Sequence, residues 1–227
     1  MSTVAENIKK VQAKIREAAI DCGRNADEIQ IIAISKYADK KQVAEAIKLG
    51  VSMFGESRPQ QLEQRAEWFE SVEIDFVGHL QRNKVKKVVP LAERIHSVDS
   101  LRLAEEIDKE ASKVGKTQKI FLQINISEEE QKFGFQQDEV PKIIGEIDSL
   151  IGVEPIGLMA MAPQFATKEE TKKIFLQLAT MRDNLRKNTP SIKFLSMGMS
   201  GDYIQAVESG ATHLRIGSAI FRQREEN

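Results

Sequence analysis

Ile31-Ile32-Ala33-Ile34-Ser35-Lys36 is a short apolar run that ends in a lysine. A run of this length with both faces apolar reads as a strand buried on both sides, as strands of parallel sheets are. Seven further short apolar segments follow, ending near Gly55, Gly78, Ser97, Ile126, Met159, Ser196 and Ile216. Helical patterns fill the gaps. Val140, Ile143, Ile144, Ile147 and Leu150 make one apolar face, and Ile174, Leu178, Met181 and Leu185 make another. Thr167 with Glu170 is a capping-box start for the second of these helices. Gly50 and Gly210 stand where a helix gives way to a strand, as left-handed caps do. Ahead of the first strand, Val4, Ile8, Val11, Ile15 and Ala18 repeat at alternating spacings of four and three, which predicts an additional amphipathic helix. Strand then helix, eight times over, is the pattern of a (β/α)₈ barrel of the TIM type. Such a barrel uses the whole chain, residues 1–227, as one domain. An open doubly wound sheet is the alternative, since periodicity does not show closure. No G-x-G-x-x-G follows the first strand, which speaks against dinucleotide binding.

Composition narrows the function. Hydrophobic residues make up 41% of the chain, enough for a real core, and 33 basic residues balance 34 acidic ones. A net charge of −1 gives no basic footprint for nucleic acid. Cys22 is the only cysteine, which excludes an internal disulfide and a cysteine metal cluster. His79, His96 and His213 are far apart in sequence and show no ligand spacing. The N-terminus has no basic-then-apolar signal, and no apolar run approaches the roughly 18 residues of a membrane span. These features predict a cytoplasmic protein with neither nucleic-acid nor membrane partners.

In a barrel of this type, chemistry sits where the strands leave the core. Lys36 is at the first such end, where partial desolvation is expected to favour the neutral amine that a Schiff base with an aldehyde cofactor requires. A strand-end lysine reaching into solvent is the plainer alternative. The loops after the seventh and eighth strands, Ser196-Met197-Gly198-Met199-Ser200-Gly201 and Arg215-Ile216-Gly217-Ser218, have the small residues and hydroxyls of a phosphate cradle. A helix beginning near Asp202 would add a positive dipole end. Alternation puts His213 and Arg215 on one face of the last strand and Leu214 and Ile216 on the other. An arginine pointing into a barrel needs an acceptor, which a cofactor ring nitrogen or a barrel glutamate would supply. Arg82, Lys84, Lys86 and Lys87 read as a solvated helix face, and Glu128, Glu129 and Glu130 as a solvated loop before Lys132 and Phe133.

Taken together these residues resemble the pyridoxal-phosphate homeostasis protein family. The likeness is carried by Ala33-Ile34-Ser35-Lys36, Phe54-Gly55-Glu56, Gly78-His79-Leu80-Gln81-Arg82-Asn83-Lys84 and Gly157-Leu158-Met159. It is most specific in Ser196-Met197-Gly198-Met199-Ser200 and in Arg215-Ile216-Gly217-Ser218-Ala219-Ile220-Phe221. The resemblance implies a barrel similar to the N-terminal half of alanine racemase. It also implies pyridoxal 5′-phosphate (PLP) joined to Lys36 as a Schiff base. Ser200, Gly217 and Ser218 would hold its phosphate, and Arg215 would face its pyridine nitrogen. Ser57, His79, Asn83 and Met159 are further candidate contacts. The family usually has asparagine after the Gly-Glu of the second loop, and here that residue is Ser57.

The resemblance implies a carrier or reservoir of PLP that keeps vitamin B6 and amino-acid pools balanced, and no catalytic residue. Arginine opposite the ring nitrogen disfavours protonation there and weakens the ring as an electron sink. Neither tyrosine, Tyr37 or Tyr203, has an evident claim to act as a second base. The expected partners are PLP and the apo-enzymes that need it, and the expected state is a monomer. The alternatives are a small PLP-dependent racemase, decarboxylase or lyase on the same barrel, and a regulatory protein in which PLP is structural.

Overall fold

Alternation along the first and last strands governs how the barrel closes. In the computed structural model, which describes residues 3–126 and 133–222, β1 is Gln30–Ile34 and β8 is His213–Ile216. They pair in parallel with Ile32 beside Arg215 and Ala33 beside Ile216. Paired residues of neighbouring strands point the same way, so Ile32 and Arg215 face the barrel axis while Ala33 and Ile216 join the outer core. Between them run β2 (Met53–Glu56), β3 (Glu73–Phe76), β4 (Arg94–Val98), β5 (Gln118–Gln123), β6 (Val153–Met159) and β7 (Phe194–Ser196). Each strand pairs with the next, and the eight parallel strands form a closed barrel. The barrel reading of the sequence holds and the open-sheet alternative falls.

The helices cover the outside, the first of them with the face the periodicity predicts. Helix α1 (Val4–Asp21) buries Val4, Ile8, Val11, Ile15 and Ala18. A capping box between Thr3 and Glu6 starts it. It packs over the seam where the chain's end meets its beginning: Asn7 donates to the Ile220 carbonyl at 3.0 Å, and Arg24 donates to the carbonyls of Val207 and Ala211, both at 2.7 Å. Outside the barrel follow α2 (Lys40–Lys48), α3 (Pro59–Arg65), α4 (Val85–Val88), α5 (Leu101–Lys113), α6 (Val140–Ile147), α7 (Lys168–Leu185), α8 (Tyr203–Glu208) and α9 (Ser218–Phe221).

Between strands and helices lie fully buried large side chains such as Phe54, Leu62, Phe76, Leu103, Ile107 and Phe175. Each contributes about 1.5–3 kcal/mol through burial. Thr167 and Glu170 form the predicted capping box of α7, but that helix buries Thr171, Phe175 and Leu178, with Ile174, Met181 and Leu185 only partly covered. The expected apolar face is therefore rotated toward Phe175. Gly50 and Gly210, at φ +88° and +96°, are the left-handed caps expected of them. The basic run begins as a 3₁₀ turn over Arg82–Lys84 before α4. Glu128, Glu129, Glu130 and Lys132 lie outside the described residues. No described helix is long and apolar enough to cross a membrane.

Candidate cofactor site

The end of β1 is clamped from outside. Ser35 is buried, and its hydroxyl donates to Glu56 Oε1 at 2.9 Å. Arg65 Nη1 donates to that same carboxylate oxygen and to the Ser35 carbonyl, both at 3.0 Å. That carbonyl belongs to the peptide leading into Lys36, so the backbone that delivers the lysine is fixed by two elements. Glu56 is fully buried, and Arg65 also lies 4.9 Å over the Trp68 ring. Lys36 itself is exposed, with Nζ 4.9 Å from the centroid of the Tyr37 ring. The expected desolvation of Lys36 is corrected here: protein atoms do not bury the amine, because the chain turns outward directly after Ser35.

Barrel closure brings the last loop beside this lysine. A Cβ on Gly217 would stand 3.2 Å from both the Cβ and the carbonyl oxygen of Ile34, two residues before Lys36. Glycine allows the β8 loop to lie against the end of β1. From β7, the next strand over, Ser200 reaches the same place. Its Oγ accepts from the amide of Gly217 at 3.3 Å and of Ala219 at 3.2 Å. Ser218 is exposed at the start of α9. Asp202 accepts from the Met199 amide at 2.5 Å and holds the β7 loop in shape. Hydroxyls and amide donors from two loops thus gather next to the strand that carries Lys36.

Arg215 lies beneath them, fully inside the barrel. Nη1 donates to Ser196 Oγ at 2.6 Å and Nη2 to the Ala160 carbonyl at 3.1 Å. Among the described residues these acceptors are neutral, so of the two alternatives the ion pair with a barrel glutamate is not formed. Burial pushes the guanidinium down to about 10, with Asp202 acting in the opposite direction. Deeper still, His96 Nδ1 is 2.7 Å from Ser196 Oγ, and His96 Nε2 is 3.0 Å from Asp75 Oδ2. Arg94 holds Asp75 at 2.9 Å and also pairs with Glu73 at the far rim. The Phe121 ring stacks on His96 at 4.2 Å, and the His96 and His213 rings are 6.3 Å apart. Two of the three histidines, distant in sequence, therefore meet on the barrel axis. Their partners are organic side chains, and no cluster able to hold a metal occurs among the described residues.

His213 has a consequence for acid stability. Burial above all, with the positive charge of Arg94 adding to it, pushes its imidazole down to about 3. The unfolded chain takes up a proton there below about 6.5 while the folded chain does not, so stability falls as pH falls through that window toward 3. Between pH 6.5 and 5 His213 alone should remove about 1.6 kcal/mol of unfolding free energy. Urea titrations across this range should show a clearly flatter profile for His213→Gln. An unchanged slope would mean that His213 does not remain neutral in the fold.

The opposite side of the mouth is more open. A Cβ on Gly78 would lie 2.0 Å from the Ser57 carbonyl oxygen, so the loops after β2 and β3 touch through backbone. Ser57 is half-buried. His79 is exposed, 3.4 Å from Asp99, and stacks on Phe133 at 4.0 Å. Asn83 is exposed and lines a surface depression with Gln81, Arg82 and Glu106 of α5. Met159 is buried with Phe121 and Ile156 in a small apolar group apart from the main core. The structure thus gathers Lys36, Ser200, Arg215, Gly217 and Ser218 around the adjacent strands β7, β8 and β1, whereas Asn83 faces outward. Glu56, Arg65 and His96 were missed as site residues, and Ser196, read as part of the phosphate loop, instead contacts Arg215. A carboxylate at the end of an apolar strand could have flagged Glu56. Nothing local in sequence marks Arg65.

This arrangement suits a phosphorylated, ring-containing aldehyde. The amine, the hydroxyl–amide group and an arginine held by neutral acceptors match an aldehyde carbon, an anion and a ring acceptor. Comparison with known proteins agrees. The family model for the alanine racemase N-terminal domain matches residues 2–225. A pyridoxal phosphate homeostasis protein of Escherichia coli strain K12 is 33% identical over 99% of this chain and 98% of its own. The chain belongs to the pyridoxal phosphate homeostasis protein family. An Aquifex aeolicus member of the family is 31% identical over 97% of this chain. PipY of Synechococcus elongatus, solved with PLP bound, superposes with a TM-score of 0.84 at 31% identity, covering 96% of this chain and all of that one. Alanine racemase of Clostridium difficile shares the fold at a TM-score of 0.77 and 16% identity; the match spans 58% of its chain.

Proposed function

We propose that this chain holds PLP at the barrel mouth, joined to Lys36 as a Schiff base, and acts as a carrier in PLP homeostasis. The observation that carries this reading is Arg215, a buried cation with neutral acceptors, set beneath a hydroxyl–amide cluster one strand away from a lysine. PLP supplies an aldehyde that condenses with amines and a ring that withdraws electrons. Lys36 provides the amine. The hydroxyls of Ser200 and Ser218 would donate to the phosphate; the amides of Gly217 and Ala219 hold Ser200 Oγ in place, and Gly217 leaves room for the anion. Arg215 donates to the ring nitrogen and, as a permanent cation, disfavours a proton there. Met159 contributes apolar cover from below. Ser57 and His79 border the site from the β2 and β3 loops.

The same residues explain weak chemistry. An arginine at the ring nitrogen leaves a poorer electron sink than a carboxylate would. Tyr203 is buried at the start of α8, where burial raises its hydroxyl's pKa, which makes it a poor base. Release of PLP to apo-enzymes, by exchange of the Lys36 amine for another, and residence in the cytoplasm as a monomer complete the proposal. A racemase or lyase reading has one observation in its favour: Tyr37 lies directly beside Lys36.

The phosphate cradle is tested by Ser200→Ala. A hydrogen bond to a charged group is worth roughly 1.5–3 kcal/mol, so PLP affinity should fall about tenfold or more. Pyridoxal, which lacks the phosphate, should bind the variant nearly as it binds the parent. Equal losses for both ligands would place the phosphate elsewhere.

A further inference from the structure

The polar chain inside the barrel is longer than holding one arginine requires. Asp75, fully buried, can only accept: burial pushes its carboxyl up, but the bonds from His96 and Arg94 outweigh this and hold it below the usual range. His96 Nε2 therefore carries the hydrogen in that 3.0 Å contact. Burial lowers His96 as well, so the ring is neutral and Nδ1 is left as an acceptor. The Ser196 hydroxyl must then donate to His96 and accept from Arg215, in contacts of 2.7 and 2.6 Å. Every donor and acceptor in the run from Asp75 to Arg215 has one assignment. A second bond, to the Ala160 carbonyl, fixes the plane of the guanidinium. The Phe121 ring packed on His96 stops the imidazole from turning.

We propose that Ser196 and His96 are positioning residues for Arg215: anchored on Asp75, they aim its remaining N–H groups at the ring nitrogen of a bound pyridine aldehyde. This rests on the reading of Arg215 as the partner of that nitrogen. The relay gives the arginine direction without a carboxylate in contact, so its charge stays available to the ligand. Loss of the Ser196 hydroxyl removes the acceptor of Nη1 and leaves the guanidinium free to pivot about the Ala160 contact.

The test compares PLP with its 1-deaza analogue, in which carbon replaces the ring nitrogen. The ratio of their dissociation constants isolates the bond at that atom, and a general loss of structure cancels from it. The parent protein should prefer PLP. Ser196→Ala should shrink the preference by about tenfold, the size of one well-directed charged hydrogen bond. Ser196→Thr, which keeps the hydroxyl, should restore it, and His96→Gln should give an intermediate ratio. A second readout uses the ligand-free protein: separate guanidinium ¹⁵N–H signals of Arg215, resolved in the parent and in Ser196→Thr, should merge in Ser196→Ala. If Arg215→Gln abolishes the preference while Ser196→Ala weakens both ligands equally and leaves those signals resolved, the relay is wrong. If Arg215→Gln leaves the preference intact, the underlying reading of Arg215 fails and the relay with it.

Discussion

Lys36→Ala should abolish covalent retention of PLP. Lys36 follows the clamped Ser35 and stands one strand from the Ser200–Gly217 cluster, so its amine is delivered beside the proposed phosphate site. Dialysed parent protein is expected to absorb at the edge of the visible range and to keep an adduct after borohydride reduction. The variant should lose both. Phosphate and ring-nitrogen contacts would remain, so weak, dialysable binding is the expected residue. An adduct that persists on a different lysine would overturn the assignment.

Two glycine-to-alanine changes should act with opposite signs. At Gly78 a Cβ would meet the Ser57 carbonyl oxygen at 2.0 Å, and backbone cannot rotate away as a side chain can. The β2 and β3 loops would have to separate, at a cost of about 3 kcal/mol, the upper part of the usual overpacking range. The Ser97 hydroxyl, which donates to the Gly78 carbonyl at 2.5 Å, would be disturbed as well. Gly145 lies within α6 with nothing within 4 Å of its would-be Cβ. Gly145→Ala should stabilise by about 0.5–1 kcal/mol through helix propensity alone. Chemical denaturation of the three proteins measures both. A neutral Gly78→Ala would show that the loops do not approach as described.

The barrel was legible because its information is local and repeated. Short doubly apolar runs, helical faces and two glycine caps each needed only a few residues. The Thr167–Glu170 box and the face assignment of His213 and Arg215 were equally local. What could not be read came from contacts across the closed sheet. The mutual approach of His96 and His213 depends on β4 and β8, on opposite sides of the barrel, facing one axis. Arg65 reaches Ser35 from a helix thirty positions away. The exposure of Lys36 depends on where the strand ends, and strand ends are the least certain part of any periodic pattern. Alternation left a ring nitrogen and a barrel glutamate as alternative acceptors for Arg215, and the protein acceptors the fold offers it are a serine and a carbonyl.

The central claim is that this site holds PLP without turning amino acids over. The most direct measurement is a chiral assay of the twenty amino acids with saturating PLP, following both enantiomers and loss of carbon dioxide. General acid–base help is typically worth 10²–10⁴-fold, and the carrier account expects it to be missing here. The expected result is no sustained conversion above the background of free PLP, with the cofactor still bound at the end. Steady turnover near the common enzymatic median of about 10 s⁻¹ would contradict the carrier account and make Tyr37 the first candidate for the missing base.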